Sequence, residues 1–157
     1  MWNRVVDTVV AEFSDLTDVE QITRILMRLL LAAVLGGVLG YEREHRGKAA
    51  GIRTHMLVAM GSALLVLVPQ QGGMLVGDLS RVIQGIVTGI GFLGAGAIIK
   101  DRADAEVQGL TTAASVWMTA AIGIACGLGR ESTAVLSALL TLLVLAVLPK
   151  WIGRDRR

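Results

Sequence analysis

The sequence predicts an all-α integral membrane protein: a polytopic bundle of about five transmembrane helices, preceded by an N-terminal amphipathic interfacial helix. Composition is the first reason. Of 157 residues, 54% are hydrophobic and 18% charged, with a mean hydropathy of +0.64, whereas a soluble domain carries about 25% charge. Segregation of the charges is the second. No Asp, Glu, Lys or Arg occurs in residues 56–77, 82–99, 107–129 or 132–149. Runs that are apolar around the whole helix need lipid or a very large core, and a chain of this length cannot build such a core.

The elements follow in order. In residues 1–17, Trp2, Val5, Val6, Val9, Val10, Phe13 and Leu16 recur at helical spacing, with Arg4, Asp7, Glu12 and Asp15 between them. This stripe suits the membrane interface or the side of a bundle. The acidic residues and the single Arg4 do not make the basic n-region of a secretory signal. Thr17 and Glu20 have capping-box spacing, which starts the next helix near Asp18. A five-span domain is expected over residues 18–152, with spans at roughly 25–44, 54–69, 82–99, 110–128 and 133–152, then a basic tail at 153–157. The second span is short for a core of about 30 Å, and Pro69 is read as closing it. Basic residues divide ten to five in favour of loops one and three and the C-terminal tail. That asymmetry predicts an outside N-terminus and a cytoplasmic C-terminus.

A weak internal repeat pairs Gly37-Val38-Leu39-Gly40 with Gly91-Phe92-Leu93-Gly94, and the helix start Gly51-Ile52-Arg53-Thr54 with Gly109-Leu110-Thr111-Thr112. It implies two parallel hairpins or a chance likeness among glycine-rich spans. Gly89, Gly91 and Gly94 match a dinucleotide fingerprint in letters only, since no strand precedes them. Packing is the preferred reading. Gly85, Gly89 and Gly96 fall within about 40° on a helix, and Ser115, Thr119, Gly123 and Gly127 form a small-residue stripe in span four. The two stripes are expected to meet each other, or one of them to meet a second copy in a homo-oligomer. The alternative is that the glycines let span three bend and offer carbonyls to an ion.

Arg28 and Glu42 stand 14 residues apart in span one, about 21 Å along a helix and about 40° apart around it. Ala32 and Gly36 share that arc, so the two charges are read as rims of a buried seam, with snorkelling to each interface as the alternative. Arg53 is expected to pair with Glu42 or Glu44 and lock the first hairpin. Asp101, Asp104 and Glu106 in loop three are candidate ligands for a hard cation such as Mg²⁺, against the plainer reading of a solvated loop. His45 and His55 lack cysteine partners and make poor zinc ligands. Cys126 is the lone cysteine. No nucleophile motif appears, no cofactor is implied beyond that Mg²⁺, and the basic residues speak of membrane topology rather than nucleic acid. Spans two to five carry no ionisable group near the midplane, where pumps and carriers usually keep one.

At these residues the chain resembles the MgtC/SapB family of bacterial inner-membrane proteins. The resemblance rests on Gly40-Tyr41-Glu42-Arg43-Glu44 with Ala50-Gly51-Ile52-Arg53-Thr54, on Gly89 to Gly96 including Gly91 and Gly94, and on Gly109-Leu110-Thr111-Thr112-Ala113-Ala114 with Trp117. It implies a protein of magnesium-limited growth, once thought a transporter, whose better-supported role is regulatory. Many members continue into a soluble domain, whereas this sequence ends at Arg157. Thr111, Met118 and Gln108 stand where the family's virulence members or the wider family carry other residues.

The combined expectation is a non-enzymatic regulator or partner protein, sited in the bacterial inner membrane and acting through another membrane protein. The alternative is a subunit of a divalent-cation transporter or channel. On the regulatory reading, Glu42, Arg43 and Arg53 together shape a cytoplasmic surface.

Overall fold

A computed structural model describes residues 1–12, 14, 18–100 and 107–147. The architecture is helical, as the charge-free runs dictate. Six helices appear: α1 (Trp2–Glu12), α2 (Val19–His45), α3 (Ile52–Gln71), α4 (Val76–Gly96), α5 (Leu110–Gly127) and α6 (Glu131–Ala146). Helices α2 to α5 are each long and apolar enough to cross a membrane, and α6 is a shorter apolar helix of 16 residues, about 24 Å long. The sequence-predicted fifth span extends to 152, and its last residues lie outside those described.

Helix α5 is the centre of the bundle and touches α2, α3, α4 and α6. Ile122, Cys126 and Thr119 on it are fully buried. The outer faces are the reverse: Leu26, Leu30 and Val34 of α2 and Leu136, Leu139 and Leu143 of α6 are exposed. A soluble protein does not leave such continuous apolar surface in water; hydrocarbon is the solvent that fits it.

Asp18 caps α2, its side chain accepting from the Glu20 N–H at 3.1 Å. The cap is therefore Asp18 and not Thr17, which lies outside the described residues. Helix α3 does not stop at Pro69. It runs on to Gln71, because proline removes only its own donor, and Gly72 N–H still reaches Val68 O at 3.1 Å. With 20 residues α3 is about 30 Å long, so it is not short for the core. No residue of α1 is buried, which removes the reading of its stripe as packed against the bundle.

Loop three carries a two-residue antiparallel ladder, Ile99–Lys100 with Val107–Gln108. It places the start of α5 at Gly109, whose φ of +92° and closeness to the Ala97 carbonyl exclude a side chain. Gly51, the corresponding cap of α3, has φ −103°. The two helix starts of the sequence repeat thus differ in backbone conformation.

Glycine packing departs from expectation. The α5 stripe is a contact face, but its partner is α3 and not α4. A Cβ on Gly127 would lie 2.6 Å from Ala63 O, and one on Gly123 would overlap the Ala59 carbonyl. Gly36 and Gly40 of α2 press on α3 in the same way: a Cβ on them would lie 2.5 Å from His55 O and 2.6 Å from Ile52 Cα. In α4, by contrast, a Cβ on Gly85, Gly89, Gly91 or Gly96 meets nothing within 4 Å, and Gly94 finds only Ala113 Cβ at 3.7 Å. Backbones approach where an alanine or glycine faces a glycine. Helix α4 meets the bundle through Leu79, Ile86 and Ile90 instead, which are buried and hold its glycine face away.

Candidate functional site

The C-terminal end of α2, the N-terminal ends of α3 and α5, and the C-terminal end of α6 lie at one end of the bundle. Three of the sequence motifs meet there. Glu42 is the organiser. Its Oε2 lies 2.7 Å from Arg43 Nε and its Oε1 2.5 Å from Arg46 Nε, so one carboxylate faces two guanidiniums. Arg46 Nη2 also donates to Ala146 O at 3.1 Å. A cation at the last carbonyls of α6 suits the negative end of that helix. Arg43 is 2% exposed, and its Nη1 has no hydrogen-bond partner among the described residues.

Glu44 closes the hairpin. Its Oε2 accepts from the Ile52 N–H at 2.9 Å, capping α3 with a carboxylate at the positive end of the helix. The missing Cβ of Gly51 leaves the space that this carboxylate occupies. The expected lock by Arg53 is not formed. Arg53 and Thr54 point away from α2 and are exposed, and Arg53 joins no ion pair among the described residues. The azimuth decides this: on α3 the buried side is marked by His55, Ala59 and Ser62, and Arg53 falls about 150° from their mean direction.

His55 is fully buried and joins α3 to α5. Its Nδ1 lies 2.9 Å from Gly51 O, and its Nε2 3.2 Å from Ser115 Oγ. A carbonyl has no proton, so Nδ1–H donates to it. The Ser115 hydroxyl donates to Thr112 O at 2.8 Å and lies farther from the His55 Nε2, and Thr119 Oγ1 donates to Ser115 O at 2.8 Å. Thr112, Ser115 and Thr119 are all buried, so the polar chain runs inside the bundle from the α3 cap along α5.

At the opposite end Arg28 ties three helices. Its Nη1 donates to Gly127 O at 2.9 Å and to Gln70 Oε1 at 3.1 Å, and its Nε lies 3.6 Å from Glu131. A side chain at Gly129, where φ is +73°, would collide with that guanidinium. Ala32 and Gly36 between Arg28 and Glu42 are buried, and the two charged side chains are 15% and 12% exposed.

The remaining residues singled out in the sequence are scattered. Thr112 belongs to the buried chain, whereas Thr111 is exposed and lines a shallow groove between α5 and α6. Trp117 is half-exposed on the outer face of α5. Gly89, Gly91 and Gly96 face outward and Gly94 inward. Asp101, Asp104 and Glu106 lie outside the described residues. Among the described residues no three His, Cys, Asp or Glu come together. Sequence reasoning passed over His55 after rejecting it as a zinc ligand, and it used Arg46 only as one of the basic residues of loop one. The available signal for His55 was an ionisable residue inside an apolar run, four positions after a helix-capping glycine.

Comparison with known proteins bears on this arrangement. YhiD of Escherichia coli (strain K12), provisionally named a magnesium transporter, is 45% identical over 132 residues, covering 78% of this chain and 59% of that protein. SrpB of Synechococcus elongatus is 45% identical over 130 residues, covering 76% of this chain and 71% of that protein. MgtC of Brucella abortus is 44% identical over 119 residues, covering 74% of this chain and 48% of that protein. The chain therefore spans well under two thirds of YhiD and about half of the Brucella protein. No solved structure matches the chain. Residues 29–153 match the MgtC family, a stretch that holds α3 to α6, most of α2, the Glu42 cluster and the His55–Ser115 link, and the chain belongs to that family.

Proposed function

We propose that this chain is the membrane module of a non-enzymatic protein of the bacterial inner membrane. It supports growth in low magnesium by engaging another membrane protein, and does not carry the ion itself. The observation that carries this reading is the closed interior. Between the Arg28 and Glu42 ends, α2, α3 and α5 touch backbone to backbone at Gly36, Gly123 and Gly127, with Ala59, Ala63 and Ile122 fully buried between them. A hydrated cation has no passage where helix backbones are in contact, and its desolvation in hydrocarbon would need compensating ligands. The charged groups are gathered at the two ends, and one end presents the exposed Lys48, Arg53 and Thr54. The name of YhiD favours a second reading, a subunit of a magnesium transporter.

Growth tests the partner surface. Cells lacking this protein should grow poorly in low magnesium, and the wild-type chain should restore them. A Lys48→Glu, Arg53→Glu variant should reach the membrane at the same level yet fail to restore growth. Full rescue would reject this face as the functional one.

The basic asymmetry supports an orientation with that face in the cytoplasm. A cysteine at Gln71 should then react with an impermeant thiol reagent from outside and one at Gly47 should not, Cys126 being buried. The reverse labelling would invert the topology.

A further inference from the structure

A trough runs between α3 and α4, with a volume of about 460 Å³. Its floor and walls are Val58, Gly61 and Leu65 from α3 and Val82, Gly85 and Gly89 from α4. Three of these six are glycines at which a Cβ would meet nothing within 4 Å, so missing side chains create the space. Hydrocarbon does not tolerate a void beside a helix, and water is not available to fill this one. Some apolar body occupies it.

The residues above the trough say which. Thr54 stands one turn before Val58 and two before Gly61 on the same side of α3, and Arg53 flanks it one turn before Leu57. Both are exposed. Arg53 is unpaired among the described residues, at the end of the helix where the chain leaves the apolar layer. A second copy lying in the trough would bring that guanidinium no free carboxylate among the described residues at the same level. The described carboxylates at that level, Glu42 and Glu44, are already engaged with Arg43, Arg46 and the Ile52 N–H. A phosphodiester above an acyl chain satisfies both parts at once, since guanidinium and hydroxyl are phosphate donors and the trough is apolar.

We infer that the trough is a binding site for one anionic glycerophospholipid, its acyl chain between α3 and α4 and its phosphate on Arg53 and Thr54. The site is distinct from the Glu42 cluster and stands whether or not the magnesium reading does.

Native mass spectrometry of the full chain in detergent tests it, with phosphatidylglycerol and phosphatidylcholine of identical acyl chains as probes. The wild type should retain one phosphatidylglycerol with a preference of about fivefold over phosphatidylcholine, and inorganic phosphate should not displace it. Arg53→Gln should abolish the preference while leaving a bound lipid. Gly89→Leu should abolish retention of both lipids without lowering the unfolding temperature of the lipid-free protein. Equal retention of the two lipids by the wild type would overturn the proposal, as would lipid retained by Gly89→Leu. Dimers that Gly89→Leu dissociates would assign the trough to a second copy instead.

Discussion

Replacing Gly123 with leucine should destabilise the bundle by about 3 kcal/mol and leave little folded protein in detergent. The reason is the kind of atom the new side chain meets. Even a Cβ would overlap the Ala59 carbonyl and crowd Ala59 Cα at 2.9 Å, and a main-chain carbonyl inside a helix cannot rotate aside. The bundle must separate α3 from α5, which also pulls His55 from Ser115. Gly89→Leu is the matched control, because nothing lies within 4 Å of its Cβ. It should stay within about 0.5 kcal/mol of the wild type. Thermal unfolding of the two variants in the same detergent checks the claim. Equal losses would mean that the two glycine stripes do not differ in packing.

Glu42→Ala should cost about 3 kcal/mol, in the range for breaking a buried pair by removing one partner. Glu42 is the counter-charge of both Arg43 and Arg46, and Arg43 is almost wholly enclosed. Without the carboxylate, a desolvated guanidinium keeps no counter-ion among the described residues, and Arg46 loses the contact that aims it at Ala146 O. Arg53→Ala should cost almost nothing in stability, since that side chain is exposed and unpaired among the described residues. The two substitutions therefore separate structure from surface. If Glu42→Ala unfolds at the wild-type temperature, the cluster is solvated and the burial of Arg43 does not describe the folded protein.

Glu42, Arg43 and Arg53, which the sequence groups as one surface, differ in exposure: Arg43 is enclosed and Arg53 is open. All three sit beside helix ends in one motif region, and their letters carry no sign of which is enclosed. Burial of Arg43 depends on its azimuth on α2 and on α3 and α5 closing over it, which are tertiary facts. The helices themselves were legible, because a charge-free run of 18 or more residues has few other solutions. The stripe on α5 was legible for the same local reason: four small residues at fourfold spacing mark a contact face. Its partner was not legible. Helix α4 has the denser glycines, yet the complementary face is the Ala59–Ala63 side of α3, an unremarkable alanine pair until two helices are set against each other. Loop three illustrates the reverse case, where Asp101, Asp104 and Glu106 were singled out by charge alone and lie outside the described residues.

Whether the chain itself moves magnesium is measured most directly as flux through the isolated protein. The purified 157-residue chain should be reconstituted into liposomes loaded with a Mg²⁺-sensitive dye, with and without an imposed membrane potential. Because the interior between Arg28 and Glu42 is closed by helix backbones, uptake should equal that of empty liposomes under both conditions. Saturable Mg²⁺ entry by the protein alone would contradict the account and establish the transporter.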